Sequence, residues 1–210
     1  TVDVVQFKTA LAFVENNPEY DYVFFDDKDI FEFICEFAEP DTVKAYSVLK
    51  AGAAKADVWR LVMIYVFGGI YIDGDAGYVK PWRKIIKPEA SVVSGIGRFG
   101  DFHQWVLIYA PRHPIIREAM TSVTKAVLDY YGRREYNGIV EITGPSIFHG
   151  RGVAPVLERN GCTINKSKSS SLQMITQKSP CKNMFFPEKI GFVQVFDDDL
   201  LGNSIIFKVP

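Results

Sequence analysis

Cysteine is scarce. Cys35, Cys162 and Cys181 are the three in 210 residues, and no two of them are spaced Cys-x-x-Cys. Neither a complete disulfide framework nor a zinc site is indicated, and a reducing compartment is the simpler reading. Histidine is as rare: His103, His113 and His149 complete the count of 3, and no nucleophile is spaced to pair with any of them, so none reads as a catalytic base. An excess of one charge is also missing, because 24 Lys and Arg stand against 25 Asp and Glu, for a net charge of -1. That removes electrostatic support for nucleic-acid or membrane-surface binding, so any anionic ligand must be held locally. No apolar run reaches transmembrane length, and no signal-peptide pattern follows Thr1. Neither Gly-Lys-Ser/Thr nor GxGxxG occurs, so the P-loop and dinucleotide fingerprints are absent.

What is present is a balanced globular composition, 48% hydrophobic and 23% charged, which suits one α/β domain spanning 1–210. Its centre is the stretch KADVWRLVMIYVFGGIYIDGD, residues 55–75. Within 58–67 the only charge is Arg60, which predicts a buried helix carrying one charge that needs a partner. Asp57, three positions earlier, is close enough on a helix to share a polar patch with it. Gly68-Gly69 ends the helix, and 70–72 reads as a strand entering the core. Asp73 and Asp75 follow, flanking Gly74. In an extended chain side chains alternate, so both carboxylates project to one side with no side chain between them. Two acidic oxygen donors suit a hard divalent ion, Mn²⁺ or Mg²⁺, and ligands of α/β folds gather at such strand ends. The bland alternatives are a solvated strand end for the Asp-x-Asp and a structural ion pair for Asp57 and Arg60.

Elsewhere the pattern predicts helices over 4–15, 28–37, 42–50, 114–131 and 145–160, the last interrupted within 150–152, and strands over 20–25 and 91–94. Trp82, in a Pro-Trp loop, reads as a core lid. The helix that opens at Pro145 has either a plain cap or an amino terminus facing a phosphate. From Cys162 onward short β-like runs, at 172–176, 184–186, 192–196 and 204–209, predict a β-rich flank. Asp197-Asp198-Asp199 reads as a turn between two of them.

The central stretch resembles the DXD-containing sugar transferases of the family 32 type and the glucosylating bacterial toxins, with Asp57, Arg60, Tyr71, Asp73 and Asp75 at matching positions. The runs at 16–33, Arg112-His113-Pro114 and Glu141-Ile142-Thr143-Gly144-Pro145 extend the resemblance over roughly 16–145. It implies a GT-A-type three-layer α/β/α sandwich with a β-rich carboxy-terminal flank. It also implies a metal-dependent, retaining transferase that moves a hexose from a nucleoside-diphosphate sugar, UDP-sugar before GDP-mannose, to a glycan acceptor. Asp73, Asp75 and a carboxy-terminal Asp198 would hold Mn²⁺ or Mg²⁺. Asp57 and Arg60 would contact donor-sugar hydroxyls or the ribose, and Tyr71 and Gly74 would lie by the nucleotide. Related chains often carry an amino-terminal anchor and further domains, so the expected location is the cytoplasm, or the Golgi lumen if an anchor has been removed.

Two other functions stay open at this point. A haloacid-dehalogenase-type phosphatase also places Asp-x-Asp at a strand end, although Ala76-Gly77 stands where Gly-Thr would be expected. A silent nucleotide-sugar or carbohydrate-binding domain would keep the fold without turnover.

Overall fold

A computed structural model describes residues 4–74, 80–88, 90–96, 101–130, 138–160, 185–186 and 191–197. The helices are α1 (Val4–Asn16), α2 (Asp27–Phe37), α3 (Pro40–Val48), α4 (Gly52–Phe67), α5 (Pro114–Tyr130), α6 (Ile139–Ile142), α7 (Pro145–Ile147) and α8 (Ala154–Arg159). The strands are β1 (Gly69–Ile72), β2 (Ala90–Ile96), β3 (Val106–Tyr109), β4 (Phe185–Phe186) and β5 (Gly191–Asp197). They form one mixed sheet in the order β1-β3-β2-β5-β4, with β2 and β5 parallel and the other neighbours antiparallel.

Alternation along the central strands divides the core in two. Tyr71, Val92, Leu107 and Tyr109 face a large cluster built by α2 to α5, with Leu61, Ile64, Ile115 and Ile116 at its heart. Their neighbours Ile70, Val93, Val106 and Ile108 face the opposite side, where Phe13 of α1 and Trp82 cover the sheet. Both faces of β1, β2 and β3 are thus covered by other elements, the layered arrangement the sequence implies. Trp82 is fully buried as a lid, and its backbone N–H donates to Asn17 Oδ1 at 2.9 Å.

The helix boundaries have local causes. Asp26 caps α2, accepting from the Lys28 and Asp29 amides at 2.8 and 2.9 Å, while Asp29 accepts the Asp26 amide at 3.0 Å, a complete capping box. Pro40 opens α3 at a first-turn position, where its missing N–H costs nothing. Gly68 closes α4 with φ 65° and ψ −154°, and a Cβ there would lie 2.6 Å from the Pro111 nitrogen. No other residue tolerates both the conformation and that approach.

Two expectations change, and a third takes a definite form. Residues 20–25 are not a strand: Asp21 to Asp26 carry no regular structure, and Phe25 instead packs on Phe33 and Trp59 at 5.7 and 5.2 Å. The β-rich composition is satisfied by burying one aromatic and capping α2, and no neighbouring strand pairs with this run among the described residues. The helix at 42–50 is shifted to Pro40–Val48. The interruption at 150–152 takes the form of a π-helical turn, Phe148–Val153, between α7 and α8. Gly152 lets it approach α5, since a Cβ there would lie 2.6 Å from Ala119 Cβ. β4 and β5 match the β-like runs at 184–186 and 192–196; those at 172–176 and 204–209 lie outside the described residues.

Candidate active site

Arg60 is the answer to its own puzzle. Its helix position buries it to 7% exposure, and the guanidinium reaches two carboxylates, Asp57 Oδ1 at 3.3 Å and Asp73 Oδ1 at 3.1 Å. The same group donates to the Gln104 carbonyl at 3.1 Å and the Ala56 carbonyl at 3.3 Å, and stacks 4.7 Å from the centre of the Tyr71 ring. A buried cation is tolerable only when paired and hydrogen-bonded in this way.

Asp57 and Asp73 are held differently. Asp57 is buried and uses both oxygens, one on Arg60 and the other accepting the Thr143 hydroxyl at 2.8 Å. Asp73 sits at the end of β1, where its amide continues the ladder by donating to the Trp105 carbonyl at 2.9 Å. Its Oδ1 takes both Arg60 and the Tyr71 hydroxyl, the latter at 2.6 Å, while Oδ2 accepts from no described residue. Tyr71 and Asp73 are two residues apart on one side of the strand, as the alternation predicts. Two carboxylates against one guanidinium leave one net negative charge, with an oxygen of the half-exposed Asp73 free to meet a cation. These hard oxygen donors fit Mn²⁺ or Mg²⁺ rather than a soft metal.

Burial pushes the Asp57 carboxyl up to about 6, with Asp73 adding to the rise while Arg60 and the Thr143 hydroxyl oppose it. Burial likewise holds the Tyr71 hydroxyl well above its usual range, so it remains a proton donor to Asp73. Because the folded-state value for Asp57 lies above its ordinary 3.8, the native state binds the extra proton between the two. Stability therefore falls as pH rises through this window and levels off above it. Urea denaturation between about pH 4.5 and 7.5 is expected to show a loss of about 2 kcal/mol that Asp57→Asn removes. A flat profile in the wild-type chain would contradict a buried, ionisable Asp57.

Of the residues named from the sequence, Asp57, Arg60, Tyr71 and Asp73 are brought together, and Gly74 lies exposed in the turn beside them. Asp75 and Asp198 lie outside the described residues. Asp197, the last described residue of β5, pairs with Ile96 at the carboxyl ends of β5 and β2. His103 bonds the Gly95 carbonyl, and Trp105 bonds Asp73. β5 thus ends at the same sheet end as Asp73, three strand spacings or about 14 Å away. The histidines have structural contacts: His113 Nδ1 accepts the Ile115 amide at 3.2 Å, His149 Nδ1 accepts the Phe102 amide at 3.1 Å, and His103 packs on Trp105 at 5.0 Å.

Two members of the cluster escape a reading by motif. Gln104 is 2% exposed and donates its amide to the Thr143 carbonyl at 2.9 Å, leaving Oε1 buried with no hydrogen-bond partner among the described residues. Thr143 is fully buried and bonds Asp57. Only the Thr-Gly-Pro context of Thr143 marked it, and nothing local marked Gln104.

Residues 5–92 match the model of the family described as glycosyltransferase sugar-binding region containing DXD motif. This stretch is thus similar to the sugar-binding region of DXD-containing glycosyltransferases, and the fold around it is GT-A-like. Among curated relatives, the initiation-specific alpha-1,6-mannosyltransferase of Candida albicans is 28% identical over 167 residues, which cover 64% of this chain and 43% of the relative. The protein of the same name in Schizosaccharomyces pombe is 27% identical over 159 residues, 63% of this chain and 40% of the relative. The mannosyl phosphorylinositol ceramide synthase SUR1 of Saccharomyces cerevisiae is 29% identical over 131 residues, 61% of this chain and 32% of the relative. The chain therefore spans less than half the length of these relatives. A solved structure, PaToxG glycosyltransferase, superposes with a TM-score of 0.58 at 18% identity, covering 76% of this chain and 64% of that one. No helix among the described residues is long and apolar enough to cross a membrane.

Proposed function

We propose that the chain is a metal-dependent glycosyltransferase domain that moves a hexose from a nucleoside-diphosphate sugar to a glycan acceptor with retention of anomeric configuration. The carrying observation is the Asp73 carboxylate, fixed through one oxygen by Arg60 and Tyr71 and without a partner among the described residues at the other, beside the buried Asp57–Arg60 pair. The relatives are named for mannosyl transfer, which favours a mannosyl donor and moves GDP-mannose ahead of the UDP-hexoses. They also favour sugar transfer over the phosphatase and silent-domain alternatives.

In this reading Asp73 and Asp75, with Asp198 from the chain after β5, hold Mn²⁺ or Mg²⁺. The bound ion supplies charge neutralisation at the departing diphosphate. Asp57 and Arg60 orient the sugar, Asp57 accepting hydroxyl hydrogen bonds and Arg60 donating them from a position already fixed before the donor arrives. Tyr71 keeps its proton and so locks the Asp73 rotamer, and Gly74 allows the diphosphate to approach the backbone. Preorganisation of this kind lowers the ordering cost at the moment of binding.

Calorimetric titration of GDP-mannose, UDP-glucose and UDP-galactose, each with Mn²⁺ or with EDTA, is the direct test. Metal-dependent binding of one nucleotide sugar is expected. Binding of none, with either addition, would sink the reading.

A further inference from the structure

The stretch at 141–145 has no part in the proposed reaction, yet Thr143 is wired into its core. Its hydroxyl donates to Asp57 Oδ2 at 2.8 Å across 86 positions of sequence, and its carbonyl accepts from the Gln104 side chain at 2.9 Å. The Gln104 main-chain carbonyl in turn accepts from Arg60, which pairs with Asp57. The contacts close a ring, Arg60 to Asp57 to Thr143 to Gln104 and back to Arg60, that ties α4 to the segment before β3 and to the end of α6.

We propose that Thr143, seated by Gln104, is a positioning residue for donor binding: it holds the Asp57 carboxylate fixed in the plane that Arg60 requires. The proposal rests on the donor-site reading above. A threonine with a purely local task at the end of a short helix would bond its own helix, and the Ile139 carbonyl four residues back is within reach at 3.2 Å. The shorter bond goes to Asp57 instead. A buried carboxylate gripped at one oxygen only is free to turn about its Cβ–Cγ bond or to take a proton; gripped at both, it is not. The charged and titratable groups that face Asp57 are Arg60 on its own helix and Asp73 and Tyr71 at the end of β1. Among the described residues Thr143 is the neutral donor set against its burial. Its loss therefore favours the protonated form.

The test follows the Asp57 carboxyl by ¹³C NMR titration of the ligand-free chain, alongside calorimetric donor affinity at pH 7, in wild type, Thr143→Val, Thr143→Ser and Gln104→Met. In Thr143→Val the Asp57 midpoint is expected to rise by about one pH unit and donor affinity to fall about tenfold. Thr143→Ser is expected to restore both, and Gln104→Met to move the midpoint the same way by less. A packing role alone would leave the midpoint where it is. An unmoved midpoint in Thr143→Val, or an equal shift in Thr143→Ser, overturns the proposal; if Thr143→Val does not fold, an unmoved midpoint in Gln104→Met does so. Donor binding by the wild type together with an unmoved midpoint sinks the role of Thr143 alone. A shifted midpoint with no donor bound by the wild type sinks the donor reading, and the role with it.

Discussion

Arg60→Met is expected to destabilise the fold by about 3–5 kcal/mol at neutral pH, the range seen when one partner of a buried ion pair is removed. Methionine fills much of the volume and suits a helix interior, so the loss is electrostatic rather than one of packing. Asp57 is left buried, facing Asp73 with no intervening cation and with one oxygen bare. Asp73, whose side chain is 31% exposed, recovers hydration, so most of the cost falls on Asp57. The double variant Asp57→Asn/Arg60→Met is accordingly expected to regain more than half of the loss. Urea denaturation of the three chains at pH 7.5 measures this. A single-variant loss under about 1 kcal/mol would mean that the pair is effectively solvated. Acidification toward pH 5 is expected to shrink the deficit, since Asp57 then carries its proton.

Asp73→Asn is expected to reduce turnover at least about a hundredfold while leaving the fold in place, a scale set by removal of a single preorganised electrostatic group at a reacting centre. The amide oxygen still accepts from Tyr71 and Arg60, so the rotamer survives. What is lost is the charge that, in the proposed reading, draws a divalent ion to Asp73 Oδ2. Transfer rates with saturating nucleotide sugar and Mn²⁺, beside a thermal melt, separate the two effects. Activity within about tenfold of wild type would show that Asp73 is not a metal ligand. A melt shifted as far as that of Arg60→Met would show that its role is structural instead.

The part of this architecture that was legible beforehand is the part written locally. A single arginine in an apolar helix, a double glycine and an alternating strand end lie within one stretch of sequence, and α4, Gly68, β1 and the Asp57–Arg60 pair follow from helix and strand periodicity, whereas the ion pair of Arg60 with Asp73 does not. Residues 20–25 were misread because β propensity says only that a segment suits a sheet, while strand formation needs a neighbour to pair with. Gln104 and Thr143 were illegible for another reason. Gln104 meets Arg60 through a main-chain carbonyl, which any residue supplies, and Thr143 reaches Asp57 only because the chain returns there after α5 and α6.

The Arg60 ring also bears on how such a domain diversifies. The residues proposed to touch the sugar are the same ones that hold α4 to β1, so a substitution that retunes donor preference at Asp57 or Arg60 also weakens the scaffold. Stability margins in proteins are small, and few lineages tolerate such a double cost. A change of sugar preference made in the surrounding loops would leave that scaffold intact.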